Sequence, residues 1–126
     1  MKRLLIGSCG GLSGFYLAKI FRSSYKNGID LWGLDASTSF ATDQFLDKFF
    51  VSPKASSREE FVDFLIRFFN TNSIDYYLPT NSIEVIIVSE YEYEIRARCD
   101  TKFIISPFET YKALNNKRDV LNRLVE

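Results

Sequence analysis

The chain has 126 residues, which is enough for one domain around a single core and too few for a second catalytic domain. Sixteen basic and sixteen acidic residues give a formal net charge of zero, so the composition disfavours binding to nucleic acid or to an anionic membrane surface. The chain has no histidine and only two cysteines, a composition that excludes a Cys/His zinc site, a disulfide framework and histidine acid–base catalysis. We therefore assign no catalytic and no metal-binding residue.

A glycine-rich segment near the N-terminus is the most informative part of the sequence. The apolar run Arg3–Gly7 predicts a first strand, and helical spacing of apolar residues predicts a helix from about Gly11 to Tyr25. A buried strand that turns through glycines into a helix aims free backbone N–H groups at an anion. We therefore expect substrate-binding residues here, namely Gly10, Gly11, Leu12, Ser13 and Gly14. A positive φ at Gly11 would make that glycine costly to replace, and Cys9 is either a reactive thiol or a small residue that fills the turn.

The middle of the chain predicts two more strands and a helix. The second strand is Asp30–Asp35, a polar loop covers residues 36–44, and the third strand is Asp47–Ser52. Ser57 and Glu60 have the spacing of a capping box, in which each side chain satisfies a free N–H at the start of a helix. The helix that follows has one apolar face, formed by Phe61, Phe64, Leu65, Phe68 and Phe69.

The same alternation of strand and helix continues toward the C-terminus. A fourth strand is predicted over Asp75–Pro79, followed by a helix that Asn81 caps with Glu84 as its acidic partner and that extends through Val88 toward Tyr93. A fifth strand over Lys102–Ile105 leads to another capping box at residues 106–109, whose helix reaches about Leu114.

This order predicts an α/β fold, a three-layer open sheet of about five parallel strands with helices on both faces. In such sheets ligands bind beyond the carboxyl ends of the strands. Asp35, Thr80 and Asn81 follow strand ends, so they join the candidate substrate-binding residues. Asp35 could instead be a turn residue, and Asn81 a simple helix cap.

The last residues interrupt this regular order. Val120, Leu121, Leu124 and Val125 form an amphipathic pattern with no later element to bury it. We therefore divide the chain into a domain over residues 1–115 and the start of a further domain over residues 116–126. A terminal helix that packs back on the sheet is the alternative, and the same apolar face could pair with a second copy in a homodimer.

Several stretches, in this order, resemble the N-terminal (pre-ATP-grasp) domain of ATP-grasp ligases, especially that of the carbamoyl-phosphate synthase large subunit. They are Leu4–Gly14, Gly33–Asp35, Asp47–Val51, Ile74–Thr80, Ile105–Pro107 with Glu109–Thr110, and Asn116–Lys117 with Leu124. The resemblance implies a Rossmann-like domain that supplies one wall of a small-molecule substrate site. It also implies a downstream ATP-grasp domain as partner, which would bind MgATP in the full-length enzyme, so that this chain alone is inactive.

Two other functions remain open. An NAD(P)-binding domain of an oxidoreductase or epimerase would use a G-x-G-x-x-G fingerprint, but Cys9 stands at the first glycine position counted back from Gly11 and Gly14. In that case Asp35 would bind a ribose. The third candidate is a non-catalytic small-molecule-binding module. Because no apolar run approaches the roughly 18 residues of a membrane span, we expect a cytoplasmic protein.

Overall fold

The computed structural model describes residues 1–37 and 41–104. In these residues the strands are β1 (Arg3–Ile6), β2 (Asp30–Asp35), β3 (Lys48–Val51), β4 (Tyr76–Leu78) and β5 (Lys102–Phe103). The helices are α1 (Leu12–Tyr25), α2 (Arg58–Asn72), α3 (Ser82–Glu90) and α4 (Glu92–Arg98), with short 3-10 turns at Lys26–Gly28 and Ala41–Phe45. The expected end of the fifth strand at Ile105, the capping box at 106–109, the helix to Leu114 and the boundary near residue 116 lie outside the described residues. None of the helices in the described part is long and apolar enough to cross a membrane.

The strands form one parallel sheet in the order β3-β2-β1-β4-β5. In β1, Leu5 lies opposite Trp32 of β2 and Tyr77 of β4. Because the chain builds the sheet outward from β1 to β3 and then returns to the other side of β1, the winding direction reverses between β1 and β4. The predicted fold class, a Rossmann-like parallel sheet of five strands, is therefore confirmed.

Alternation along β1 separates two cores. Leu4 and Ile6 pack with Ala18 beneath α1, whereas Leu5 faces the opposite side of the sheet, among the buried residues of α2 and α3. Phe61, Leu65, Phe68 and Phe69 of α2 are buried and Phe64 is half-buried, which confirms the apolar face expected there. Helices thus cover both faces of the sheet, which leaves its carboxyl edge for the connecting loops.

Neither of the two capping boxes expected in the described residues forms in full. Ser57 precedes α2, but its side chain makes no capping hydrogen bond. Asn81 does cap α3, because its Oδ1 accepts hydrogen bonds from the N–H of Ile83 at 2.9 Å and of Glu84 at 3.4 Å. The predicted role of Glu84 in this cap is wrong, since its carboxyl group turns away toward the loops after β1 and β4.

The backbone of the glycine loop also requires a correction. Gly11 has φ −77° and ψ 171°, and a Cβ atom there would lie 3.5 Å from the carbonyl oxygen of Ser8, an ordinary van der Waals distance. The strain expected at this glycine is therefore absent. At position 14 a Cβ atom would lie 2.7 Å from the Cα of Cys9, so only glycine fits here without a shift of the backbone. Ser8 is the residue of this loop with a left-handed backbone, at φ 50°.

Candidate functional site

A cleft of about 620 Å³ opens at the carboxyl edge of the sheet, between the loops that follow β1, β2, β3 and β4. It lies where the winding direction reverses, which is the usual ligand position in open parallel sheets. The candidate residues that line it are Gly10, Gly11, Leu12, Ser13, Asp35, Thr80 and Asn81. Gly14, the remaining candidate, is not part of the lining and instead allows α1 to approach Cys9.

The start of α1 supplies backbone donors to this cleft. Gly11 is the N-cap residue and has no side chain to satisfy the first turn. In the described part of the chain, the N–H groups of Leu12, Ser13 and Gly14 have no acceptor. The N–H groups of the two preceding glycines are used internally, since Gly10 donates to Asp35 at 2.8 Å and Gly11 to the carbonyl of Ser8 at 3.1 Å. The positive end of the helix dipole therefore faces the cleft through the first turn of α1 rather than through the glycine loop.

Asp35 connects the end of β2 to that loop. Its Oδ2 accepts the hydrogen bond from Gly10, and its Oδ1 accepts one from the N–H of Ser37 at 2.8 Å, the geometry of an Asx turn. Each carboxylate oxygen keeps one further lone pair for a donor in the cleft. Asp35 thus has the turn role that the sequence offered as an alternative, and it also lines the cleft.

Glu84 also lines the cleft, although the sequence did not indicate it as a site residue. Its side chain is buried, its Oε2 accepts a hydrogen bond from the Ser8 hydroxyl at 3.2 Å, and its Oε1 accepts one from the N–H of Thr80 at 3.2 Å. Burial raises the pKa of Glu84 to about 8, against the lowering effect of these donors. Its sequence position three residues after Asn81 pointed to capping, and no local signal indicates the contacts with residues far away in sequence.

The ionisable side chains of the lining are Asp35, Glu84 and Lys54, and no group of three potential metal ligands occurs in the described residues. Cys9 beside the cleft is fully buried, and burial together with the Asp35 carboxylate raises its pKa to about 12. The interpretation of Cys9 as a reactive thiol is therefore wrong, because only a low pKa yields a thiolate at neutral pH. The residue fills the turn.

Two exposed apolar side chains lie in the lining of this cleft. Leu12 at the start of α1 is 73% exposed and Ile83 near the start of α3 is 54% exposed. We call these two residues the apolar rim. Because burying apolar surface is energetically favourable, exposed apolar side chains beside a depression are typical of a surface that contacts another protein surface.

No protein-family model and no curated protein sequence matches the chain. Solved structures do. An L-amino acid ligase from Bacillus licheniformis aligns over 94% of this chain with a TM-score of 0.65 and 15% identity, and this chain covers 28% of it. The glycinamide-RNase-transformylase T from Mycobacterium tuberculosis aligns over 96% of this chain with a TM-score of 0.64 and 11% identity, with 33% of it covered. The chain has the fold of the N-terminal domain of ATP-grasp enzymes.

This pre-ATP-grasp fold spans about a third of the length of those enzymes. A weaker likeness joins the chain to a monomeric L-threonine 3-dehydrogenase from a metagenome, with a TM-score of 0.53 and 14% identity over 79% of this chain and 34% of that one. At such identities the likeness concerns the fold alone.

Proposed function

We propose that this domain forms one wall of a small-molecule substrate site in an ATP-grasp carboxylate–amine or carboxylate–thiol ligase of the carbamoyl-phosphate-synthase-like kind. The observation that carries the proposal is the cleft at the switch point with its apolar rim. A cleft open on one side, with exposed apolar residues in its lining, binds a ligand tightly only when a second surface closes it and excludes water. In this proposal an ATP-grasp domain supplies that surface.

We place MgATP on the partner domain rather than in the cleft. A triphosphate with its magnesium ion requires several cationic side chains and free carboxylates. Among the described residues the lining has one lysine, and its two carboxyl groups already accept hydrogen bonds from Gly10, Ser37, Ser8 and Thr80. These residues do not fit a magnesium–nucleotide complex, so the nucleotide would activate the carboxylate from the opposite side of the cleft.

The cleft itself has groups for the substrate. The free N–H groups of Leu12 and Ser13 suit a carboxylate or the oxygens of an acyl phosphate, because they are donors at the positive end of a helix. Asp35 lies within the same cleft and suits an ammonium or hydroxyl group. Together they would orient an activated carboxylate and its nucleophile, and the gain from such orientation accounts for a large share of many enzymatic accelerations.

The test uses the complete product of the gene, mixed with any ATP-grasp protein encoded beside it, and measures ADP release with panels of carboxylates, amines and thiols. We expect ADP release that requires both a carboxylate and a nucleophile. Leu12→Pro removes one free N–H at the first helical position, where proline is tolerated, and Leu12→Ala is the matched control that removes only the side chain. We expect kcat/KM at least about tenfold lower for the proline variant than for the alanine variant. Equal values, or no nucleophile-dependent ADP release, would contradict the proposal.

The second candidate is an NAD(P)-binding domain. The likeness to a dehydrogenase and the free N–H groups at the start of α1 favour it, since a pyrophosphate binds at this position in dinucleotide folds. Cys9 in place of the first fingerprint glycine weakens this candidate, because that glycine makes the tight turn. A direct measurement of dinucleotide binding decides between the two candidates.

A further inference from the structure

A single buried carboxyl group lies between the two loops that flank the switch point. Glu84 is on α3, yet its carboxyl oxygens bind the hydroxyl of Ser8 in the loop after β1 and the N–H of Thr80 in the loop after β4, both at 3.2 Å. Glu84 is 2% exposed, so its carboxyl group depends on these protein donors rather than on bulk water. No other ionisable side chain in the described residues joins the two loops.

The carboxyl group packs closely against the residue that follows β1. A Cβ atom at Gly7 would overlap the Glu84 carboxyl oxygens, so a side chain at position 7 would displace this carboxyl group. The Thr80 hydroxyl donates a hydrogen bond to the carbonyl of Gly7 at 2.7 Å, which joins the loop after β4 directly to the residue that follows β1. Ser8, at φ 50°, has a backbone conformation that costs energy for a non-glycine residue and persists only where its surroundings hold it.

The position of Ser8 determines the geometry of the cleft. Its carbonyl accepts the hydrogen bond from the N–H of Gly11, the N-cap residue of α1. The N–H of Gly10, between them, donates to Asp35. A displacement of Ser8 would therefore move both the free N–H groups at the start of α1 and the Asp35 carboxylate.

We propose that Glu84 is a positioning residue, whose bonds to Ser8 and Thr80 set the free N–H groups of α1 and the Asp35 carboxylate in the arrangement that receives the ligand. The proposal rests on the ligand-binding role of the cleft given above. Its test, however, uses the protein without any ligand, so a failed ligase assay and a failed positioning test are distinguishable.

The experiment measures amide hydrogen exchange by NMR in the whole chain, for wild type, Glu84→Ala and Glu84→Gln. The glutamine carbonyl can still accept from Thr80 and its NH₂ can donate to the Ser8 hydroxyl, so this variant keeps the shape and both contacts. Glu90→Ala is the matched control, because Glu90 is a carboxylate of the same helix and pairs with Arg58 near the surface, away from both loops.

We expect Glu84→Ala to increase exchange at Cys9, Gly10, Gly11 and Thr80 by at least about tenfold relative to the amides of β1 and β2, with wild-type rates in Glu84→Gln and in the control. Two results would overturn the proposal. Uniformly faster exchange through the sheet in Glu84→Ala would show that Glu84 contributes to global stability. Unchanged exchange in the loops would show that they keep their conformation without Glu84. If Glu84→Ala does not fold, Ser8→Ala removes one of the two contacts, and it must loosen the same loop amides, since unchanged exchange there also contradicts the proposal.

Discussion

Gly11 and Gly14 flank the start of α1 and differ in their tolerance of a side chain. Inside a helix, glycine to alanine normally stabilises by up to about 1 kcal/mol. At Gly14 the new methyl group would lie 2.7–2.9 Å from backbone atoms of Cys9, which cannot rotate away as a side chain could. We expect Gly14→Ala to lower the free energy of unfolding by about 1–3 kcal/mol and Gly11→Ala to change it by less than about 0.5 kcal/mol. Urea unfolding of both variants checks this, and equal effects would contradict the packing of α1 on Cys9.

Glu84 makes stability depend on pH in a range where few other groups titrate. Burial first, and the Asp35 carboxylate to a lesser extent, raise its pKa from 4.5 to about 8, with Tyr77 and Cys9 as the other titratable groups nearby. Between these pH values the folded protein binds a proton that the unfolded chain has released. The contribution of Glu84 to the free energy of unfolding is therefore greatest below about pH 4.5 and falls as the pH rises toward 8, by at most about 1.4 kcal/mol per pH unit.

The sequence has no histidine, so the interval from about pH 5.5 to 7.5 contains little other side-chain titration. Chemical unfolding across this interval should show the slope in wild type and lose it in Glu84→Gln, which has no proton to release. A slope that persists in the glutamine variant would assign the effect to another group.

At the scale of elements, α2 and α3 begin with residues that look equivalent in sequence and differ in structure. Asn81 accepts hydrogen bonds from two N–H groups of α3, whereas Ser57 caps none in α2. We expect Asn81→Ala to lower the free energy of unfolding by about 1 kcal/mol and Ser57→Ala by less than about 0.5 kcal/mol. Thermal unfolding followed by circular dichroism compares the two directly. A larger loss at Ser57 would show that its hydroxyl caps α2 in solution.

The strands were predictable because each is a short apolar run between turn residues, and the alternation with helices determined that the sheet is parallel. Their ends were less predictable. Gly7 and Ser52 were expected inside strands, but Gly7 follows β1 and packs against Glu84, and Ser52 lies after β3. α4 was not predicted as a separate helix, since its surface is mostly charged pairs such as Arg96 with Glu92, and such a segment has little apolar periodicity.

At the scale of the whole molecule, the position of the cleft followed from topology, because loops after neighbouring parallel strands meet at one edge. Asp35, Thr80 and Asn81 were found in this way. The roles of Glu84 and Ser8 were not, since a carboxyl group that contacts a residue 76 positions away has the same local sequence as a capping residue. Contacts of this kind depend on the packing of α3 against β1 and β4, which local patterns do not encode.

The charge of the cleft leads to a prediction about its ligands. Lys54 is the one basic side chain of the lining in the described residues, and the same lining includes the carboxyl groups of Asp35 and Glu84. Phosphate groups would gain the helix dipole of α1, worth at most about 1–2 kcal/mol, and little further attraction. A micromolar complex requires about 8 kcal/mol.

We therefore expect isothermal titration calorimetry to show no binding tighter than about 1 mM for MgATP, NAD(H) or NADP(H) with this chain alone. Micromolar binding of a nicotinamide cofactor would favour the oxidoreductase alternative, because the first turn of α1 would then hold a pyrophosphate without a second domain. Micromolar binding of MgATP would contradict the proposal that the nucleotide binds to the partner domain rather than to this cleft. With weak binding of all three, the cleft depends on the surface that covers its apolar rim, and replacing Leu12 or Ile83 with glutamate should then weaken association with that surface without unfolding the domain.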